Sequence, residues 1–224
     1  MTIYGAALER WRAASPSWDA YARHAFVEGL KDGTLPRAAF LHYLRQDYVF
    51  LIHFSRAWAL AVAKAETLDE MRACAATVNA LVDEEMRLHV GLCAEAGIDE
   101  AALEATAEEA ENLAYTRYVL EAGFSGDFLD LMAALAPCVM GYGEIGARLA
   151  AGKTSETYAD WIATYGGEDY QDLCRDVGAM IDGALMRRYG PGFADLPRFS
   201  GLARRFETAT RLEVGFWDMG LRGA

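Results

Sequence analysis

Residues 36–65 read PRAAFLHYLRQDYVFLIHFSRAWALAVAKA, and this stretch decides the fold class. Its apolar side chains recur three, four and seven positions apart, a spacing that brings them to one face of an α-helix. Pro36 suits the first turn of such a helix, where a missing backbone N–H removes no hydrogen bond. The stretch therefore predicts a long helix, Pro36–Ala65, with an apolar stripe. The stripe comprises Phe40, Tyr43, Leu44, Phe50, Leu51 and Phe54.

Helical periodicity of the same kind continues through the rest of the 224 residues, and strand-like alternation never extends beyond a few positions. Gly, Pro and Asp residues separate the periodic stretches, and Ser125 followed by Asp127 resembles a helix N-cap. The pattern predicts an all-α fold, a multi-helix bundle. The predicted helices are Ser17–Lys31, Pro36–Ala65, Leu68–Ala96, Asp99–Ala122, Ser125–Ala151, Glu156–Thr164, Glu168–Tyr189 and Pro197–Leu221.

Composition favours one domain and a small-molecule partner. Only five prolines occur, no Pro/Gly/Ser-rich stretch divides the chain, and 53% of the residues are hydrophobic. We therefore expect a single domain over residues 1–224 with one large core. The formal net charge is −12 and no basic cluster follows one face. Nucleic acid and anionic membranes are not expected as partners, because both need a basic surface. A cationic small substrate is compatible with the negative charge of the chain.

The cytoplasm is the expected location. Met1–Trp11 has no basic region followed by an apolar run, so no secretory signal is predicted. The apolar stretch Tyr48–Ala63 is interrupted by His53 and Arg56 and is short for a membrane span. No CxxC pair occurs, and reduced thiols are expected. The cysteines are Cys74, Cys93, Cys138 and Cys174.

Asp47 interrupts the apolar stripe of the helix predicted over Pro36–Ala65. An acid in the middle of such a face is costly unless it is paired or hydrogen-bonded. Two interpretations stay open: a buried acid satisfied by a backbone group or an Arg, and a functional carboxylate.

Cys138 lies beside a proline in LAPCVMGYGE, residues 135–144. Proline inside a helix costs about 3 kcal/mol or more and opens the backbone. With Gly141 and Tyr142 following, we expect the kink to leave room for a ligand beside the thiol. The alternative is a buried, inert cysteine. That role is assigned to Cys74, Cys93 and Cys174.

Glu213 shares a predicted helical face with Phe206, Phe216 and Trp217. A carboxyl on an aromatic face tends to hold its proton at neutral pH, which suits a general acid. A salt bridge to a nearby arginine, such as Arg204, is the alternative.

A metal site with histidine ligands is the remaining functional interpretation of the sequence. Glu85 and His89 are four residues apart on one helical face, but di-iron bundles need Glu-x-x-His pairs on two helices. The other histidines are scattered through the N-terminal quarter. No bound metal and no cofactor are therefore expected.

Taken together, these segments resemble the TenA, or thiaminase II, family, in its cysteine-containing class. Several motifs in the same order carry the resemblance over nearly the whole chain. They are Gly33–Leu35, Phe40–Tyr48, Phe54–Ala57, Ala63–Ala65, Glu84–His89, Ala114–Thr116, Leu135–Glu144, Trp161–Gly167 and Glu213–Trp217. The resemblance implies the haem-oxygenase-like α-bundle, a homotetramer, and a role in thiamin salvage.

The resemblance also implies roles for individual residues. Asp47 matches the aspartate that grips the aminopyrimidine, Cys138 the nucleophile and Glu213 the acid/base. Phe50 occupies a substrate-binding position where many relatives have a tyrosine, so one hydroxyl contact is absent and substrate preference is affected. The aromatic wall of the pocket is implied to comprise Tyr115, Tyr142, Tyr165 and Phe216.

The implied reaction is hydrolysis at the aminomethyl carbon of 4-amino-5-aminomethyl-2-methylpyrimidine, with thiamin as a slower substrate. Cys138 would add to the ring, Glu213 would protonate the leaving amine, and water would replace it. Two other classes stay open on the same scaffold. One is a small-molecule-binding or regulatory protein that needs no thiol, and the other is a redox enzyme with a bound metal or cofactor.

Overall fold

The computed structural model describes residues 4–223, apart from the side chain of Glu84, which belongs to the Glu84–His89 motif and lies outside the described part. Within those residues the regular structure is helical and no strand occurs. The all-α prediction is therefore confirmed.

The helices follow one another with short connections. In chain order they are α1 (Ala6–Ala13), α2 (Trp18–Ala22), α3 (Ala25–Asp32), α4 (Arg37–Lys64), α5 (Leu68–Asn79), α6 (Met86–Ala94), α7 (Glu100–Glu104), α8 (Ala110–Ser125), α9 (Phe128–Ala136), α10 (Tyr142–Ala150), α11 (Ala159–Gly166), α12 (Glu168–Tyr189) and α13 (Pro197–Leu221). Two π-helical segments, Ala80–Glu85 and Pro137–Gly141, join α5 to α6 and α9 to α10. Short 3₁₀ turns span Glu156–Tyr158 and Phe193–Asp195.

The chain divides into two compact units. The first consists of the described part of Met1–Leu35 together with Met132–Val214. The second consists of Pro36–Leu131 and the described residues from Gly215 onward. That residues 1–224 form one domain stays a prediction.

The long, strongly periodic helices agree with the sequence prediction. Helix α4 differs from its predicted span by one residue at each end, and α12 and α13 have the predicted bounds. Helix α5 begins at a capping box. Thr67 Oγ1 accepts from the backbone N–H of Glu70 at 3.1 Å, and Glu70 Oε2 accepts from that of Thr67 at 3.2 Å.

Two predicted helices are broken. Ser17–Lys31 is interrupted before α3, where His24 acts as an N-cap and its Nδ1 accepts from Phe26 N at 3.2 Å. Asp99–Ala122 is interrupted between α7 and α8. There the side chain of Gln46 donates to Ala107 O at 2.9 Å and accepts from Glu109 N at 3.1 Å. These bonds satisfy backbone groups that a continuous helix would have used itself.

The predicted N-cap at Ser125 is wrong. Ser125 ends α8, and Asp127 caps α9 instead, with its Oδ1 accepting from Leu129 N at 2.9 Å and Asp130 N at 3.1 Å. Asp130 Oδ2 accepts in return from Asp127 N at 3.0 Å. A carboxylate satisfies two first-turn N–H groups where a serine hydroxyl normally serves one, so the boundary lies two residues later.

One helical stretch, Phe128–Ala150, is long and apolar enough by composition to cross a membrane. The protein buries 89% of its most apolar window. That burial is typical of a core helix, whose apolar faces are covered by other helices rather than by lipid.

Helix α1 was absent from the sequence prediction because its N-terminus is completed from far away. Asp182, on α12, accepts from Ala6 N at 2.6 Å through Oδ2 and from Ala7 N at 2.9 Å through Oδ1. Gly178, one turn earlier on α12, lets Tyr4 approach closely, because a Cβ there would collide with the carbonyl of Tyr4. The cap of α1 therefore depends on the fold of the first unit.

We predict that Asp182→Ala lowers the free energy of unfolding by about 1–2 kcal/mol, because two N–H groups of α1 lose their acceptor. Asp176→Ala is the matched control, since Asp176 is an exposed acid on the same helix. The free energy of unfolding of this control is expected to stay within about 0.5 kcal/mol of the wild-type value. Urea unfolding of both variants measures the difference, and equal midpoints would show that the cap contributes no stability.

Candidate active site

Asp47 lies in the middle of α4, in the second unit, and its residue is only 3% exposed. Tyr43, one turn earlier on the same helix, donates its hydroxyl to Asp47 Oδ2 at 3.0 Å. His89, on α6, places Nε2 at 2.6 Å from the same oxygen. The acid is thus satisfied by a tyrosine and a histidine. The prediction that a structural acid here would pair with a backbone group or an arginine is therefore wrong.

His89 faces hydrogen-bond acceptors at both ring nitrogens. Its Nδ1 is 2.9 Å from the carbonyl oxygen of Glu85, and its Nε2 faces the carboxylate of Asp47. A neutral imidazole has one N–H, so it would turn a lone pair toward one of these oxygens. The arrangement therefore favours the doubly protonated imidazolium.

Electrostatics point the same way. Burial disfavours the charged imidazolium, but the hydrogen bond and the negative charge of Asp47, with a further contribution from Glu85, raise the pKa of His89 above its ordinary value. Asp47 and His89 therefore form a buried ion pair. Sequence reasoning missed this pairing, because it considered His89 only with Glu85 as a metal ligand.

The Glu85 and His89 pair does not have the geometry of a metal site. Both nitrogens of His89 are engaged in hydrogen bonds, one of them to the backbone of Glu85. Among the side chains that the structure describes, no group of three or more His, Cys, Asp or Glu residues is arranged to hold a metal ion.

Aromatic side chains lie one turn before and one turn after Asp47 on α4, at Tyr43 and Phe50. The ring of Phe50, one turn later, lies 5.0 Å from that of Tyr115 on α8 and 5.4 Å from that of Phe216 on α13. Tyr43 contacts Phe216 edge-on at 6.2 Å. Four predicted site residues are therefore assembled within the second unit. They are Asp47, Phe50, Tyr115 and Phe216.

Helices α4 and α8 are held in register by buried amides next to this cluster. Asn112 Nδ2 donates to the backbone oxygen of Gln46 at 2.8 Å and to its side-chain oxygen at 3.1 Å. Gln46 directly precedes Asp47, and Asn112 lies three residues before Tyr115. The amide pair therefore fixes the position of Tyr115 along the helix that carries Asp47.

Cys138 lies in the π-helical segment Pro137–Gly141 of the first unit and is half-buried. The other three cysteines are fully buried. Burial raises the pKa of the Cys74 thiol to about 12 and also raises the pKa values of Cys93 and Cys174. A raised pKa disfavours the reactive thiolate, so these three cysteines are poor nucleophiles, and Cys138 is the one cysteine of the four that is not fully buried.

The backbone around Cys138 is stabilised by side chains from α2 and α12. Tyr21 donates its hydroxyl to Pro137 O at 3.1 Å. Val139 O accepts from the Tyr170 hydroxyl at 3.2 Å and from the Cys174 thiol at 3.4 Å. Because proline interrupts the regular helical hydrogen bonds, these donors hold the widened turn in one conformation.

The sequence predicted room for a ligand beside the thiol. The glycines after Cys138 do not provide that room. A Cβ at Gly141 would collide with the ring of Tyr21, and a Cβ at Gly143 would collide with the sulfur of Cys174. The small residues are needed for close packing within the first unit, which the sequence pattern alone did not distinguish from an open pocket.

Tyr142 and Tyr165 form an aromatic cluster in the first unit. Tyr142 follows the π-helical segment on α10, and its ring lies 5.0 Å from that of Tyr165 on α11. Trp161 stacks obliquely on Tyr165 at 4.5 Å. Gln171 donates to the backbone oxygens of Tyr165 and Gly143, both at 2.9 Å, and so holds α10 and α11 in register.

Glu213 lies near the end of the first unit, on α13, with 2% of its residue surface exposed. The buried residues Phe206, Ala209 and Thr210 precede it on the same helix. The first unit thus carries the other four predicted site residues. They are Cys138, Tyr142, Tyr165 and Glu213.

Comparison with known proteins adds a family and several relatives. Residues 11–223 match the model of the TENA/THI-4/PQQC family. An uncharacterized protein of Haemophilus influenzae is 38% identical, over 93% of this chain and 95% of its own. An aminopyrimidine aminohydrolase of Halalkalibacterium halodurans is 34% identical, over 93% and 92%. A solved structure from a Silicibacter species, described as a TenA family transcription regulator, is 67% identical with a TM-score of 0.96, over 97% of each chain.

The ion pair predicts a pH-dependent stability. Because folded His89 holds its proton more tightly than unfolded His89, its contribution is fully present below about pH 6.5, the ordinary imidazole value. It is lost as the pH rises through the raised pKa. We predict that the difference in free energy of unfolding between wild type and His89→Gln shrinks from pH 6 to pH 9.

His53→Gln is the matched control for this measurement. Burial, with the nearby charge of Arg117, lowers the pKa of His53, so its effect has the opposite direction and disfavours the folded wild type as the pH falls below about 6.5. Urea unfolding from pH 5 to pH 9 distinguishes the two histidines. A difference for His89→Gln that does not change with pH would contradict the ion pair.

Proposed function

The chain belongs to the TENA/THI-4/PQQC family, and from this premise we propose that it is an aminopyrimidine hydrolase of thiamin salvage. Its substrate is 4-amino-5-aminomethyl-2-methylpyrimidine, and its products are the 5-hydroxymethyl pyrimidine and ammonia. Relatives named aminopyrimidine aminohydrolase, such as the 34%-identical protein of Halalkalibacterium halodurans, support this reaction. The expected homotetramer and cytoplasmic location stay predictions.

One structural observation carries the proposal: a carboxylate paired with an imidazolium and flanked on its helix by aromatic residues that belong to an aromatic cluster. Asp47 accepts hydrogen bonds at Oδ2 from Tyr43 and His89. A flat heterocycle with an amino donor matches such an environment, because the rings cover its faces and the carboxylate accepts from the amino group. The net charge of −12 also suits a substrate whose aminomethyl group is an ammonium ion at neutral pH.

The chemical step uses Cys138 and Glu213. The Cys138 thiolate adds to the ring carbon adjacent to the substituted one, and the electron pair expels the amine from the exocyclic carbon. The bound ammonium first loses a proton to solvent, and Glu213 then gives its proton to the neutral amine as it departs, so that it leaves as ammonia. Forming the C–S bond while the C–N bond breaks divides one difficult displacement into two easier steps.

The second step restores the enzyme. Water adds to the exocyclic methylene, Glu213 takes the proton of that water, and the C–S bond breaks to release the thiolate of Cys138. The balance is one water consumed and one ammonia released, with no change in oxidation state. The half-buried position of Cys138, in contrast to the other thiols, supports its role.

A regulatory or small-molecule-binding protein is the second candidate function. It is favoured by the description of the 67%-identical Silicibacter structure as a TenA family transcription regulator. Such a protein needs the aromatic cluster and Asp47 but has no use for the reactivity of Cys138. Ammonia release from the aminomethyl pyrimidine therefore discriminates the two functions.

We predict that the wild-type protein releases ammonia from this pyrimidine and that Cys138→Ser loses nearly all turnover while remaining folded. A serine hydroxyl at this position ionises far less readily than a thiol. Cys74→Ala is the control and is expected to affect stability only. An inactive wild type that still binds the pyrimidine would support the regulatory candidate, and a fully active Cys138→Ser would contradict the nucleophile assignment.

Glu213→Gln is predicted to lower the turnover number by about 10²- to 10⁴-fold, because the amide cannot transfer a proton. Substrate affinity should change much less. The control is Glu207→Gln, on the same helix, where Glu207 accepts from the hydroxyls of Ser15 and Ser17. Steady-state kinetics with both variants test the assignment, and unchanged turnover in Glu213→Gln would make Glu213 a structural acid.

A further inference from the structure

His89 has no part in the chemical step above, yet it is completely buried and both of its ring nitrogens are engaged. Tyr43 and His89 bind the same oxygen of Asp47, Oδ2. The other oxygen, Oδ1, accepts no hydrogen bond from the residues that the structure describes. The protein therefore holds the carboxylate through only one of its two oxygens.

We propose that His89 is a positioning residue for the aminopyrimidine site, which holds Asp47 by Oδ2 so that Oδ1 is presented to the amino group of the ligand. This inference rests on the proposed function, which supplies the ligand. It adds to that function a residue that never touches the substrate and acts through Asp47.

The backbone before His89 supports this role independently. The π-helical segment Ala80–Glu85 contains a wider turn than an α-helix, and an added residue rotates everything after it by about 100°. His89 lies in the first turn after this segment. The segment ends at Glu85, whose carbonyl oxygen accepts the hydrogen bond from Nδ1 of His89. The irregular turn thus sets both the direction of the imidazole and its outer hydrogen bond.

Charge gives the second reason for a histidine at this position. A carboxylate among aromatic rings is costly to keep ionised without a positive partner. The imidazolium of His89 supplies that positive partner, and the Tyr43 hydroxyl donates to the same oxygen from within α4.

Two amide substitutions separate the two hydrogen bonds of His89. In His89→Gln the amide nitrogen reaches the place of Nε2 and keeps a donor to Asp47. In His89→Asn it reaches only the place of Nδ1, so the bond to Glu85 is kept and the bond to Asp47 is lost. His89→Leu removes both bonds. His53→Asn, at the partly buried histidine of α4, is the matched control outside the site.

The full-length variants are titrated by calorimetry with 4-amino-5-hydroxymethyl-2-methylpyrimidine and with its analogue lacking the 4-amino group. We expect His89→Asn and His89→Leu to weaken binding of the amino ligand on the order of ten- to a hundred-fold, the effect of a misaligned charge-assisted hydrogen bond. Binding of the analogue should stay within a few-fold. His89→Gln should restore most of the affinity, and KM should follow the same order.

Equal weakening of both ligands in His89→Asn, or no weakening of either, would overturn the inference, because a structural role does not select for the amino group. A crystal structure of ligand-free His89→Asn tests it without any ligand: the Asp47 carboxylate is expected to turn from its present orientation, and an unchanged carboxylate would overturn the proposal. If wild type neither binds nor hydrolyses the pyrimidine, the proposed function fails, and this crystallographic comparison alone decides the role of His89.

Discussion

The second unit is organised by the requirement that the buried charge of Asp47 be neutralised. The carboxylate is almost fully buried, so a counter-charge for it must come from the protein, and an unpaired charge there would cost several kcal/mol. Tyr43 supplies one donor from the same helix, and His89 supplies a donor and a positive charge from α6. One carboxylate thus connects two helices, and it does so beside the ring of Phe50.

The sequence predicted those parts of the fold that local patterns determine. Helices α4, α12 and α13 have long apolar periodicity and clear ends, and their bounds were predicted to within a residue. The missed break between α7 and α8 has a partner remote in sequence. The side chain of Gln46 hydrogen-bonds the backbone between α7 and α8, which lies more than 60 positions later in the sequence. No window of local sequence contains that contact.

The candidate site was predictable as a set of residue types but less so as a geometry. An acid on an aromatic stripe identified Asp47, and a thiol beside proline identified Cys138. The partner of Asp47 was missed, although the requirement for a counter-charge and the lone histidine in the middle of the chain together pointed to His89. Gly141 was misread as space for a ligand, because only the tertiary structure places the ring of Tyr21 against it.

The remote cap of α1 has a consequence for how the protein is made. Asp182 follows Ala6 by 176 positions, and the two segments of the first unit are separated in sequence by Pro36–Leu131, which belongs to the other unit. During synthesis the N-terminal helix leaves the ribosome long before its acceptor Asp182 has been made. The cap of α1 can therefore form only late in translation, and until then this helix is exposed to proteases and chaperones.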